Sequence, residues 1–117
     1  MFLWVVTDSP RLTADVRRSI MDADEVYVSA ASIWEAAIKA GLGKIQGEVT
    51  QLVNAIGDSG FVELPVTALH AAFVAELPHH HRDPFDRLLV AQAMTEPLVL
   101  LTADALLLQY SDLVRLV

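Results

Sequence analysis

The chain has 117 residues, 54% of them hydrophobic and 20% charged, so one domain with an ordinary packed core is expected and disorder is not. No cysteine is present, so disulfides and thiolate metal sites are excluded, and a reducing cytoplasm is compatible with that absence. A net charge of −7 argues against a broadly basic nucleic-acid surface, but not against RNA held through a bound cation and a few local basic residues.

Segment 2–6, within the opening MFLWVV, is apolar and reads as either a strand or one helical turn. No basic segment precedes it, so no signal peptide is expected, and no apolar run approaches the roughly 20 residues of a membrane helix. Ser9-Pro10 marks a turn, and 13–23 reads as an amphipathic helix with Val16, Ile20 and Met21 inward and Arg17 and Arg18 outward. Glu25–Val28 is short and β-rich, hence a strand. A helix is expected from Ser32 through Ala40, stopped by Gly41 and Gly43. Residues 48–57 carry Val49, Leu52, Val53 and Ile56 at helical spacing, and Gly60 separates them from a short strand at 61–64. Thr67 caps a helix to about Glu76, with Pro78 beyond it.

Asp83-Pro84 then opens a helix reaching about Thr95, with Asp at the N-cap and Pro at the first helical position. Pro97 ends it. Leu98–Leu101 is a fully apolar strand, Ala103–Gln109 a short helix and Leu113–Val117 a last strand. Strands alternate with helices throughout, and an uninterrupted apolar strand such as LVLL suits a parallel sheet covered on both faces.

Three acids fall where a chain turns into a helix near a strand end: Glu35, Asp86 and Asp104. Each has a structural explanation. Ser32-Ile33-Trp34-Glu35 matches a capping box, and Asp86 and Asp104 sit at helix starts where the dipole favours negative charge. Their joint placement points further, because ligands of open α/β sheets bind outside the carboxyl ends of the strands. At about 5 Å and an effective dielectric near 20, each carboxylate pair repels by roughly 3 kcal/mol, so three pairs demand a proton or a cation. An all-oxygen shell suits Mg²⁺ or Mn²⁺.

Other residues give weaker signals. Three consecutive histidines, His79–His81, cannot all face one ion in regular structure, so the run reads as a surface turn. Gly41-Leu42-Gly43 follows a helix instead of a strand and makes no dinucleotide-binding loop. The two tryptophans are expected in the core. Arg82, Arg87, Lys39 and Lys44 flank the acidic helices as solvated charges, with phosphate contact as the alternative.

The segments VYVSAASIWEAAIKAGLGK, LPHHHRDPFDRLLVAQA and LLTADALLLQY, in that order and with 18 positions from Asp86 to Asp104, resemble the PIN-domain family and within it the VapC-type toxin ribonucleases. The resemblance covers essentially the whole chain. It implies an α/β fold, a PIN-like three-layer α/β/α domain over 1–117 with a mostly parallel central sheet. It further implies a metal-dependent endoribonuclease acting as the toxin of a type II toxin–antitoxin pair in the cytoplasm, with a cognate antitoxin and a homodimer as partners. Glu35, Asp86 and Asp104 would be members of the family's acidic cluster, holding Mg²⁺ or Mn²⁺, with Thr102 as a nearby hydroxyl that orients it. A binding module, catalytically weakened and engaging an antitoxin or itself, is the alternative function.

One departure matters. Family members usually begin with a short strand ending in Asp, ahead of a segment like FLWVVTDSPRL, and here the chain starts inside that later segment. Either the chain is N-terminally shortened and lacks its central strand, or MFLWVV fills that slot and Asp8 substitutes as a ligand. The first reading is preferred, and it expects the remaining strands to split into two groups.

Overall fold

Parallel strands need crossover connections, and in the computed structural model of the chain helices supply those within residues 25–102. It describes residues 2–4, 25–43, 49–102 and 104–116. The helix expected at 13–23, Asp8 and Lys44 lie outside the described residues. The elements are β1 (Phe2–Trp4), β2 (Val26–Ser29), α1 (Ala30–Gly41), α2 (Val49–Asp58), β3 (Val62–Leu64), α3 (Ala68–Phe73), α4 (Pro84–Thr95), β4 (Val99–Thr102) and β5 (Val114–Leu116). Short 3-10 turns at Val74–Glu76 and Ala105–Gln109 complete them.

Among the described residues all strand pairings are parallel, in the order β3-β2-β1-β4-β5. Residues 2–4 therefore occupy the centre: Phe2 and Leu3 pair with Val26 and Tyr27 on one side, and Phe2, Leu3 and Trp4 with Val99, Leu100 and Leu101 on the other. This corrects the preferred expectation of a lost central strand and two separated strand groups. A run of three apolar residues has enough backbone donors and acceptors to bridge both neighbours.

The core lies between the sheet and α4. Leu89, Val90, Ala91 and Ala93 are fully buried, together with Leu98, Leu100, Leu107 and Val114. Burial around nearly the whole circumference explains why this helix shows little one-sided patterning. On the neighbouring α2, Ile56 is buried while Val53 is 42% exposed, so the apolar spacing there exceeds the face that packs. Gly60, at φ 79°, lets the Phe61 amide turn back to the Ile56 carbonyl at 3.0 Å and end α2.

Local chemistry sets the helix starts. Asp83 caps α4 by accepting from the amides of Phe85 and Asp86, with Pro84 in the first turn. Ser29, not Ser32, caps α1: its Oγ accepts from the Ala31 amide at 3.0 Å and donates to Gln92 Oε1. The capping box expected at Ser32–Glu35 is thus corrected, because the helix starts two residues earlier and Glu35 stands in its second turn. Thr67 and His70 form a reciprocal box at the start of α3, Oγ1 accepting from the His70 amide and Nδ1 from the Thr67 amide. Thr67→Ala should lower stability by about 1 kcal/mol, read as a smaller urea midpoint at unchanged slope. An unmoved midpoint would mean that the box contributes nothing.

Candidate metal centre

α4 is followed after a short turn by β4, to which it runs antiparallel, so its first turn lies at the carboxyl edge of the sheet. β2 ends at that edge in Ser29 and β4 in Thr102. The segment after β4 bends at once: Thr102 Oγ1 accepts from the Asp104 amide at 3.1 Å, and Asp104 caps the following 3-10 turn through Oδ1, which accepts from the Leu106 amide at 2.9 Å.

Asp86, buried in the first turn of α4, meets Asp104 there. The third member of the group is His81. Its Nε2 lies 2.6 Å from Asp104 Oδ2 and 3.5 Å from Asp86 Oδ2. One donor atom from each of these three side chains lies within 4.8 Å of the others, the group of that kind among the described residues. Burial opposes ionisation of Asp104, but the Leu106 amide and His81 outweigh it, and its carboxyl titrates below the usual value.

Glu35 is not one of this trio. It is buried in α1 with Lys39 Nζ 3.9 Å from its Oε2. The residues beside Glu35 and Asp86 nevertheless touch, because the rings of Trp34 and Phe85 stack edge to face at 5.0 Å. Trp34 is 60% exposed, which corrects its expected core placement: α1 directs it outward, where Phe85 covers one edge. Three residues before Glu35, on the same face of α1, Ser32 Oγ is buried with no hydrogen-bond partner among the described residues.

The histidine run diverges. His79 Nδ1 lies 3.2 Å from Arg87 Nη1, His80 packs edge-on against Tyr110 at 5.1 Å, and His81 alone turns inward. Reading the run as a surface turn therefore missed His81. Spacing excluded convergence of all three but held no signal for which one faces the acids. Arg87 is likewise no solvated flank. It is buried, and its guanidinium donates to the carbonyls of Val74, Leu77 and Pro78, tying down the turn that carries the histidines. Arg82 is exposed beside a cavity of roughly 520 Å³ that Val74, His79, His81, Pro84 and Arg87 also line.

The donor chemistry fits a divalent cation: two carboxylates meet at one edge, close enough to repel. No helix among the described residues is long and apolar enough to cross a membrane.

A family model described as PIN domain matches residues 1–113. Among solved structures, the crystal structure of FitAcB from Neisseria gonorrhoeae is similar in fold, with a TM-score of 0.60 and 19% identity over 92% of this chain and 90% of that chain. No curated protein matches the chain.

Proposed function

The chain belongs to the PIN domain family, and from that premise we propose that it is a metal-dependent endoribonuclease, the toxin of a type II toxin–antitoxin pair. The meeting of Asp86 and Asp104 at the carboxyl edge of a parallel sheet carries this reading. Asp86, Asp104 and, from the adjoining helix, Glu35 would hold Mg²⁺ or Mn²⁺. When bound, such a cation lowers the pKa of a coordinated water and stabilises charge developing on a phosphodiester. The chain's own part is to fix the carboxylates: Leu106 and Thr102 set Asp104 through the backbone, and the Asp83 cap sets the first turn of α4. A cation would also let a chain of net charge −7 accept a polyanion at this edge.

The test is cleavage of single-stranded RNA by protein stripped with chelator and then titrated with Mn²⁺ or Mg²⁺. Cleavage should vanish on stripping and return with metal. Cleavage that ignores chelation, or none at any metal concentration, would end the proposal.

A second reading, a binding module, is favoured by one observation. Trp34 and Ile38 in α1 and Leu42 just past its end recur every four residues and are 60%, 42% and 65% exposed. A cognate antitoxin laying an extended or helical segment on that stripe, or a second copy of the chain, would cover it. Light scattering across a concentration series distinguishes a homodimer from a monomer.

A further inference from the structure

His81 is held from three directions. Its backbone amide donates to the Tyr110 hydroxyl at 2.9 Å, its Nδ1 accepts from the Asp83 amide at 2.9 Å, and its Nε2 faces the two carboxylates. The Asp83 amide can only donate, so Nδ1 must present a lone pair. The proton of the imidazole is therefore on Nε2, the atom aimed at Asp104 and Asp86. A metal-ligating histidine has the opposite arrangement, with a bare nitrogen toward the ion and an N–H toward an acceptor behind it.

We infer that His81 is not a ligand of the metal centre but an internal stand-in for the cation. Its Nε2–H donates to Asp104 Oδ2 and sits beside Asp86 Oδ2, holding both carboxylates together while no ion is bound. This rests on the metal reading above and adds a competition to it: an ion and the Nε2–H group cannot share the same side of these oxygens. For an ion to bind there the His81 ring would have to swing away, and the cavity that His81 already lines, bounded by Val74, His79 and Arg82, has room to receive it. His81 thus positions the carboxylates in the metal-free protein and weakens their affinity for a cation.

Calorimetric titration of metal-free protein with Mn²⁺ tests this on wild type, His81→Ala and His81→Gln. Losing one hydrogen bond to a carboxylate should tighten Mn²⁺ binding about tenfold in His81→Ala. His81→Gln, which keeps an N–H donor, should return part of the way to wild type. Long-range ¹⁵N spectra of the metal-free wild type, needing no variant, should show Nε2 protonated and Nδ1 bare. Weaker or equal binding by His81→Ala, or the reverse tautomer, overturns the stand-in role while leaving the metal centre standing. Mn²⁺ binding by none of the three proteins overturns both.

Discussion

Asp86→Asn is expected to lower metal-dependent RNA cleavage on the order of 10²–10³-fold while leaving the protein folded. The two halves of that expectation have separate causes. Activity falls because an amide offers one neutral oxygen where a hard cation needs a charged one, and Asp104 opposite cannot compensate. Stability changes little because two effects oppose each other. The first turn of α4 loses a favourable charge–dipole term of about 0.3–1 kcal/mol. Against this, the mutual repulsion of Asp86 and Asp104 is removed. Cleavage rates at saturating Mn²⁺ and thermal midpoints of the metal-free proteins, measured side by side, check both halves. Equal rates for variant and wild type would remove Asp86 from the reaction. A collapse of the midpoint would assign it to the fold. Glu35→Gln in the same assay reports whether the acid outside the close trio contributes.

Arg87→Met should destabilise the domain by about 3–5 kcal/mol, because it removes the charged donor of three hydrogen bonds to carbonyls, each contributing roughly 1.5–3 kcal/mol before the turn relaxes. Methionine keeps much of the stem's volume, so the loss isolates the guanidinium. Its Nη1 donates to the Pro78 carbonyl, and its Nη2 to those of Val74 and Leu77. Without it these acceptors lie unsatisfied under the turn, at roughly 1–3 kcal/mol for each that water cannot reach. Domains of this kind are stable by only about 5–15 kcal/mol, so the variant should sit near its unfolding threshold. Arg87→Lys should recover little, because a single ammonium cannot span a fork of divergent carbonyls. Urea unfolding gives the numbers. A loss below about 1 kcal/mol, the range of an exposed charge, would show that the turn does not depend on this side chain.

What could be read from the chain follows from how local each signal is. Asp83-Pro84 states a helix start within two residues, and α4 begins and ends where the sequence indicates, from Pro84 to Thr95. Ser29 and Ser32 both offer capping hydroxyls. The choice between them falls to Gln92, more than sixty positions away, which accepts the Ser29 hydroxyl proton in the core. The central position of residues 2–4 is legible from neither composition nor periodicity, because it depends on pairing with strands at 26–27 and 99–101. The site divides in the same way. Asp86 and Asp104 are legible because strand ends and helix starts locate them. His81 was hidden because its direction is set by Tyr110 and by the Asp83 amide, contacts that no spacing rule encodes.

The position of β1 has a consequence for how the protein is made. Its two partners are far apart in sequence, so residues 2–4 find their second neighbour only when residues 99–101 have emerged from the ribosome. Loop closure over that span is slow relative to helix formation. A nascent chain that has reached the end of α4 therefore holds β1 with only its β2 side able to pair, and with Asp86 already present but Asp104 still unmade. Pairing of β4 on the far side of β1 and the meeting of Asp86 with Asp104 are therefore one event, which follows synthesis of residues 99–104.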